Sequence, residues 1–279
     1  MNITQKFCPT QRTSVRTLDQ FRYTETFAEF VARSSEYPTM IERLINTGAS
    51  LPDNFTCFDV GAGTGKVIQD WLAKDGKRPN RYVAVEPNPA HADSLRKTLL
   101  SQNLEGIVIE DNFNPEFSIS GTYDLILFSH SLYWLQDPVE CVCLAYKAVR
   151  PGGCVLIFLD GPFSFYTFFH LFEPLFKRDR PSLPDHGFSS HELVQGLRLA
   201  GLEPLITFDP TSLNLTGLFD HKATNQRDEF LSFCLQIEFS ELPEPLKTDA
   251  ITYVETSCIK HNRQMSWPHP QATITVKKE

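Results

Sequence analysis

Residues 57–65 read CFDVGAGTG, an apolar strand pattern that runs directly into a glycine-rich turn. The next residues, 66–74, have the spacing of a helix, so the stretch predicts a strand, a tight turn and a helix. Glycines let the backbone turn sharply and let a ligand approach it closely. The start of the helix adds backbone N–H groups that have no partner within the helix. This stretch therefore predicts a ligand-binding turn.

The chain on both sides of this turn alternates between apolar strand patterns and helical patterns. Apolar strands of this kind indicate a parallel sheet that is covered on both faces. The predicted strands are 55–60, 81–85, 107–109, 123–128, 154–159, 202–208 and 271–276, and the predicted helices among them are 66–74, 89–100, 138–149 and 189–200. We therefore predict an α/β fold with a doubly wound, Rossmann-like sheet of seven strands.

Three segments fall outside this alternation. Residues 21–44 have helical spacing with a break near Pro38, which predicts two helices. Residues 161–187 are rich in aromatic residues and proline, and residues 213–263 contain two further helical patterns. We predict a single domain over residues 1–279, with an N-terminal helical cap (1–50), a cofactor-binding core (51–160) and substrate-side insertions (161–188 and 211–265).

Two acidic residues accompany the glycine turn. Glu86 ends the next predicted strand, where an open parallel sheet places a carboxylate against ribose hydroxyls. Dinucleotide-binding turns favour G-x-G-x-x-G, whereas this turn is G-x-G-x-G and is preceded by Asp59. A carboxylate at that position suits a positively charged ligand, such as a sulfonium or an amino group. The pattern therefore disfavours a nicotinamide-dependent oxidoreductase.

Residues 57–159 resemble the class I S-adenosylmethionine-dependent methyltransferases. The motifs that carry the resemblance are DVGAGTG at 59–65, VAVEPN at 83–88, DN at 111–112, SHSLYWLQDP at 129–138 and RPGG at 150–153. The resemblance implies the class I methyltransferase sheet and S-adenosylmethionine as the cofactor. The cofactor-binding residues that it implies are Asp59, Gly61, Ala62, Gly63, Gly65, Glu86, Pro87, His91, Asp111, Asn112, Ser129 and His130.

Two stretches that follow predicted strands are candidates to contact the substrate, since ligands of parallel sheets bind outside the carboxyl ends of the strands. The first contains His130, Tyr133 and Trp134, and the second is the aromatic-rich segment 163–172. A stripe at helical spacing runs through the second stretch: Phe165, Phe168, Phe169, Phe172 and Phe176. The stripe is a buried helix face, an aromatic wall for a flat or cationic substrate, or both.

Over nearly its full length the chain is similar to the histamine N-methyltransferase family. The stretch FVARSSEYPTM at 30–40 resembles the family's segment upstream of the glycine turn, where Glu36 falls on the substrate-binding glutamate. The family's Gln-x-x-aromatic-aromatic motif matches the stretch that begins at His130. The substrate-binding residues that the resemblance implies are Glu36, Tyr133, Trp134, Phe165, Phe169 and His269.

The composition limits the remaining possibilities. The net charge of −8 disfavours a general nucleic-acid binder. The seven cysteines are scattered and form no CxxC pair, which indicates free thiols in a reducing compartment and no zinc site. No signal peptide and no membrane-spanning run is visible. We therefore expect a cytoplasmic monomer that acts on a small molecule, without nucleic-acid or membrane partners.

The expected reaction is methyl transfer from S-adenosylmethionine to the nitrogen of a small amine, aromatic or imidazole-bearing, such as histamine. It is an in-line displacement that requires alignment and exclusion of water but no metal. Glu36, His130 and His269 are the expected catalytic residues, which orient the amine and accept its proton. Two alternatives stay open: an O- or C-methyltransferase of small natural products, and a non-catalytic, methyltransferase-like partner subunit.

Overall fold

The computed structural model describes residues 12–74, 76–180 and 188–279. Its strands are β1 (Thr13–Val15), β2 (Thr56–Val60), β3 (Arg81–Val85), β4 (Gly106–Ile109), β5 (Tyr123–Ser129), β6 (Val149–Asp160), β7 (Phe176–Arg178), β8 (Leu205–Asp209), β9 (Ser212–Asn214), β10 (Ile259–His261), β11 (Gln264–Pro268) and β12 (Gln271–Lys277). Its α-helices are α1 (Gln20–Val31), α2 (Glu36–Ala49), α3 (Lys66–Ala73), α4 (Pro89–Ser101), α5 (Pro138–Lys147), α6 (Phe165–Phe172), α7 (Ser190–Leu199), α8 (Thr224–Leu235) and α9 (Glu244–Thr256).

These elements form two compact units, which are described separately. The first, called the sheet unit, comprises Pro38–Gly161, Phe188–Asp209 and Gln271–Glu279. The second, called the aromatic unit, comprises the described parts of Met1–Tyr37, Pro162–Gly187 and Pro210–Pro270. Each unit has a hydrophobic core of its own.

The sheet unit is built on a seven-stranded sheet with the order β4-β3-β2-β5-β6-β12-β8. The first five of these strands pair in parallel, and β12 pairs antiparallel with both β6 and β8. Every residue of β2 is buried, as expected for a strand that is covered on both faces. Because parallel strands end at the same edge of a sheet, the turns after β2, β3 and β5 all lie at one edge.

The predicted α/β fold with a seven-stranded, Rossmann-like sheet is confirmed, with two differences in detail. The last strand, β12, is antiparallel rather than parallel, so the sheet is mostly parallel. The long segment 210–270 precedes β12 in place of a single crossover helix, so the geometry that makes two strands parallel does not apply. The predicted RPGG turn lies inside β6, where a register irregularity opposite β5 and a φ of 83° at Gly152 accommodate it.

The aromatic unit contains α1, α6, α8 and α9, an antiparallel sheet of order β10-β11-β9 and a parallel pair of β1 and β7. The predicted phenylalanine stripe is buried in its core. The stripe does not lie wholly on one helix, however, because α6 ends at Phe172 and Phe176 opens β7. Pro174 in the intervening turn lacks the N–H that would continue the helix.

The two predicted N-terminal helices are present, but the break between them lies at 32–35 rather than at Pro38. Pro38 lies in the first turn of α2, where its missing N–H has no helical partner to lose. As a result, Glu36 is the first residue of a helix instead of part of a linker.

Two further expectations concern cysteines and membranes. The six cysteines within the described residues are free thiols, and Cys8 lies outside these residues. None of the described helices combines the length and the apolarity that crossing a membrane requires. The assignment of residues 1–50 as a cap, and of 161–188 and 211–265 as substrate-side insertions, stays a prediction.

Candidate functional site

The glycine turn between β2 and α3 adopts left-handed backbone conformations. The φ angles are 72° at Gly61, 57° at Gly63 and 82° at Gly65, where L side chains are rarely found. A Cβ atom at Gly61 would lie 2.5 Å from Cβ of Ser131, whereas one at Gly63 would meet no heavy atom within 4 Å. Gly61 is therefore needed for packing. Gly63, next to the half-buried Ala62, leaves the backbone open to a ligand.

Glu86 connects the end of β3 to this turn. Its buried carboxylate accepts hydrogen bonds from the backbone N–H of Gly63 and from that of Asn88, both at 2.9 Å. Nδ1 of His91, in the first turn of α4, lies 3.7 Å from Oε1 of Glu86. The structure thus brings three predicted cofactor residues together, while the predicted Pro87 is exposed beside them.

Asp59 is a buried carboxyl group directly before the glycine turn. Its Oδ2 accepts a hydrogen bond from the Tyr82 hydroxyl at 2.5 Å, and its buried Oδ1 has no hydrogen-bond partner among the described residues. Burial raises the pKa of Asp59 to about 7; the hydrogen bond from Tyr82 opposes this shift, and the nearby charge of Glu86 adds to it. Asp59 therefore offers an unused acceptor that gains its charge near neutral pH.

Asp111 and Asn112 follow β4, the edge strand beside β3. Both are exposed, and the N–H of Asn112 donates to Oδ1 of Asp111 at 2.8 Å. They border a recess of about 550 Å³ that is lined by Ile109, Asp111, Asn112, Asn114, Glu116, Phe117 and Ser118. The two predicted cofactor residues therefore face a concave surface of the sheet unit.

The end of β5 carries two further predicted residues, Ser129 and His130. The buried Oγ atoms of Ser129 and Ser131 have no hydrogen-bond partner within the described parts of the chain. His130 has a φ of 52°, its backbone N–H donates to the carbonyl of Phe158 at 3.1 Å, and its Nε2 lies 2.8 Å from Nε2 of Gln271. This strand end therefore combines unused hydroxyl groups with a tightly held imidazole.

Tyr133 and Trp134, which were predicted as substrate contacts, differ in their surroundings. Tyr133 is buried, its hydroxyl oxygen accepts a hydrogen bond from the N–H of Asp160 at 2.6 Å, and its ring stacks on His130 with 6.3 Å between centroids. Trp134 is about half exposed. Tyr133 thus joins the turn after β5 to the end of β6, and a substrate contact for either residue stays a prediction.

In the aromatic unit, Oε1 of Glu36 lies 3.2 Å from Nε2 of His269, so the two side chains form an ion pair when the imidazole is protonated. Both side chains are buried. The Ser34 hydroxyl donates to Oε2 of Glu36 at 2.9 Å. The backbone of His269 is held by Thr211, whose carbonyl accepts from the histidine N–H at 2.9 Å and whose hydroxyl donates to the histidine carbonyl at 2.5 Å. Two of the predicted catalytic residues are therefore brought together.

Aromatic rings surround this pair. The rings of Phe30 and Phe165 meet the imidazole of His269 edge to face, with centroids 5.7 Å and 6.0 Å away. The other predicted aromatic residue, Phe169, has the guanidinium of Arg178 4.9 Å from its ring centroid. Of the two predicted phenylalanines, Phe165 therefore contacts the imidazole of His269, and Phe169 packs against the guanidinium of Arg178.

Sequence reasoning missed four residues at these sites. Phe30 and Ser34 lie in the quoted stretch around Glu36, and Gln271 opens the last strand two residues after His269, so all three were close to a visible signal. For Tyr82 there was no such signal, and the ring contact of Phe30 was not visible either. Each resembles an ordinary core residue in sequence, and only strand pairing or ring packing reveals its contact.

Residues 58–155 match the family described as "Methyltransferase domain". A candidate methyltransferase from Bacillus halodurans has a similar fold, with a TM-score of 0.55 and 12% identity over 85% of this chain and 98% of that one. YcgJ from Bacillus subtilis gives a TM-score of 0.55 and 12% identity over 86% and 98% of the two chains. No curated protein sequence matches the chain.

A third similar structure was determined with a product of methyl transfer bound. It is the plantazolicin methyltransferase BamL in complex with a triazolic desmethylPZN analog and SAH, with a TM-score of 0.52 and 15% identity over 93% of this chain and 89% of that chain. The sheet unit fits a ligand of the same kind on its own geometry. Gly63 leaves open space, and Asp59 offers an unused buried acceptor to a cation.

Proposed function

We propose that this chain is a class I S-adenosylmethionine-dependent methyltransferase, that S-adenosylmethionine is its methyl donor, and that it methylates the nitrogen of a small amine. Aromatic or imidazole-bearing amines such as histamine are the first candidates. The observation that carries the proposal is the buried contact between Glu36 and His269, in which Oε1 lies 3.2 Å from Nε2. The resemblance of these positions to the substrate residues of histamine N-methyltransferases supports it.

The charge of Glu36 favours an amine as the substrate. A buried carboxylate such as that of Glu36 requires a positive or hydrogen-bonding partner, because burial removes the stabilisation that water gives to a charge. A protonated amine supplies both a positive charge and N–H donors. Phenylalanine rings such as Phe30 and Phe165 favour cations over their faces. The surroundings of the pair therefore suit an amine that arrives as an ammonium ion.

The amine must also lose a proton before it can be methylated. An aliphatic amine is mostly protonated near pH 7, and its nitrogen has no lone pair for attack until that proton leaves. In this proposal the pair of Glu36 and His269 accepts the proton, and the Glu36 carboxylate stabilises the imidazolium that results. When bound, S-adenosylmethionine supplies an electrophilic methyl group on a positively charged sulfur. The donor is held by Asp59, Glu86 and the open backbone at Gly63.

The test is mass spectrometry of reactions that contain S-adenosylmethionine and a panel of amines, imidazoles and phenols. A product with one new methyl on nitrogen, formed together with S-adenosylhomocysteine, supports the proposal. A methyl on oxygen or carbon assigns the chain to the alternative class of small-molecule methyltransferases. Binding of S-adenosylmethionine without turnover of any acceptor contradicts the amine assignment for the tested panel, and absence of binding favours a non-catalytic subunit.

The role of the pair is tested by Glu36→Gln and His269→Asn, alone and combined. We expect each variant to lower kcat/KM for the amine about 10- to 100-fold, since each leaves a buried charged or polar partner unpaired. The combined variant should lose less than the product of the single losses, because the two residues act as a pair. His261→Asn, at an exposed histidine of β10, is the matched control. Additive losses would contradict a shared role.

The proposal includes three expectations about the protein in its setting. Its acceptor is a small molecule, it acts in the cytoplasm, and it works as a monomer without nucleic-acid or membrane partners. Size-exclusion chromatography with light scattering measures the oligomeric state directly. A stable dimer that is required for activity would contradict the monomer.

A further inference from the structure

The imidazole of His130 is held from several sides within the sheet unit. Its left-handed φ of 52° is unusual for a residue with a side chain, and such conformations persist where the surroundings enforce them, often at functional sites. The backbone N–H donates to Phe158, and the ring stacks on Tyr133. Nε2 lies 2.8 Å from the side-chain nitrogen of Gln271, which is fully buried.

The contact with Gln271 determines where the imidazole carries its proton. An amide nitrogen has two hydrogens and no lone pair to offer, so it can only donate. Nε2 of His130 must therefore accept, which leaves the ring neutral with its hydrogen on Nδ1. If Nε2 were protonated, two donors would face each other at 2.8 Å.

We propose that Gln271 is a positioning residue that keeps His130 neutral with its proton on Nδ1, so that His130 serves methyl transfer as a hydrogen-bond donor and not as the proton acceptor. The reaction itself rests on the proposed function. The atom that receives the hydrogen bond bears a lone pair, such as a carboxylate oxygen or a ring nitrogen of a bound substrate. Proton acceptance then belongs to His269 and Glu36 alone.

Two titratable residues of the sheet unit lie beside the His130 ring. They are Asp160, whose carboxylate lies within 4.8 Å of a ring nitrogen, and Tyr133, whose ring stacks on the imidazole. A carboxylate can accept a hydrogen bond from whichever ring nitrogen carries the proton. The hydrogen bond from Gln271 determines which nitrogen that is, because it requires an unprotonated Nε2.

The proposal is tested first by ¹⁵N NMR of the histidine side chains in the ligand-free protein, with His130→Asn to assign the signal. We expect one protonated nitrogen, Nδ1, and one unprotonated nitrogen, Nε2. Gln271→Glu replaces the donor by a carboxylate that accepts, so Nε2 should become protonated. Gln271→Leu should give a mixture of tautomers. A wild-type ring protonated on Nε2, or an unchanged spectrum in both variants, overturns the proposal.

Kinetics provide the second test. We expect Gln271→Leu to lower kcat about tenfold, the effect of one lost hydrogen bond. In Gln271→Glu the neutral ring carries its proton on Nε2, so Nδ1 no longer donates, and kcat/KM should fall further than in Gln271→Leu, which keeps a share of the tautomer protonated on Nδ1. His130→Asn keeps a donor near the position of Nδ1 and should retain more activity than His130→Ala; equal losses contradict the donor role.

Thr273 provides a control for the Gln271 variants. Thr273 lies on the same strand, and Thr273→Val removes its hydrogen bond to Asp209 without touching His130. We expect this variant to leave the His130 spectrum and kcat/KM unchanged. The NMR experiment needs no methyl acceptor, so a failure of amine methylation leaves the tautomer result intact and the two proposals fail separately.

Discussion

The proposed donor site of the sheet unit and the proposed acceptor pair of the aromatic unit, Glu36 and His269, are assembled in opposite ways. Asp59, Gly63 and Glu86 follow one another closely along the chain, and the pairing of β2 with β3 is sufficient to bring them together. Glu36 and His269 come from opposite ends of the chain and meet only through tertiary packing. The first site is therefore specified by a local motif, and the second by the folded unit.

The two sites also stabilise their carboxylates differently. Glu86 accepts hydrogen bonds from backbone N–H groups, which no substitution of a neighbouring side chain removes. Glu36 depends on two side chains, those of His269 and Ser34. The hydrogen bonds of Glu86 therefore depend on the backbone, whereas the contacts of Glu36 can change with single substitutions.

The largest effect is expected at the donor site. Glu86→Leu removes a carboxylate that is proposed to hold the donor. The same substitution removes two hydrogen bonds from backbone N–H groups, one of them from the glycine turn, each worth about 1.5–3 kcal/mol for a charged group. We expect the Kd for S-adenosylmethionine, measured by isothermal titration calorimetry, to rise at least about 100-fold. Glu105→Leu, at an exposed glutamate, should leave the Kd unchanged. An unaltered Kd in Glu86→Leu would falsify the donor assignment.

An intermediate effect is expected from the pH dependence of Asp59. Its pKa is raised to about 7 when folded, from an ordinary value of 3.8, so between these values the folded protein binds more protons than the unfolded chain. The contribution of Asp59 to the free energy of unfolding is therefore greatest at low pH and falls as the pH rises toward 7. Melting curves of the ligand-free protein from pH 5 to 8 should show this fall.

Asp59→Asn removes the same titration. We expect this variant to have a flatter Tm profile and a higher Tm than the wild type at pH 8, because no buried charge forms. Its affinity for the cationic donor should fall. Asp53→Asn, at an exposed carboxylate, is the control and should follow the wild-type profile. Parallel profiles for wild type and Asp59→Asn would contradict the raised pKa.

The smallest effect is expected at Ser34, which lies beside the pair of Glu36 and His269. Ser34→Ala removes the hydroxyl that donates to Oε2 of Glu36, one hydrogen bond to a charged group. We expect KM for the amine to rise about threefold to tenfold, with the Kd for S-adenosylmethionine unchanged. Ser35→Ala changes the neighbouring serine, whose hydroxyl contacts the backbone of Ser212, and serves as the control. Equal KM values for both variants would remove Ser34 from the site.

Much of the sheet unit could be predicted from local patterns. The bounds of β3 agree with the prediction, and the start of α3 and the end of β2 also agree. The predictions that were wrong concern features that no local sequence pattern determines. The antiparallel direction of β12 depends on what precedes it over many residues, and the end of α6 before Phe176 depends on a single proline.

The candidate sites show the same division. Glu86 and the glycine turn were identified because each follows the end of a predicted strand. Their hydrogen bond forms because these two strands, β2 and β3, are parallel neighbours and end at the same edge of the sheet. Glu36 was singled out only by resemblance to a family, because a lone glutamate after two serines has no chemistry of its own in sequence. The contact of Gln271 with His130 could not be predicted, since it joins the ends of two strands separated by the whole length of β6 and the residues that follow.

Local sequence is enough to specify the alternation of strands and helices, the glycine turn and the acidic residues at its sides. The reason is that hydrophobic periodicity, glycine conformations and strand ends are properties of neighbouring residues. Tertiary packing, in contrast, brings Glu36 to His269, places Phe30 and Phe165 around the imidazole, and sets Gln271 against His130. These contacts join residues far apart along the chain, and packing alone brings such residues within hydrogen-bonding distance.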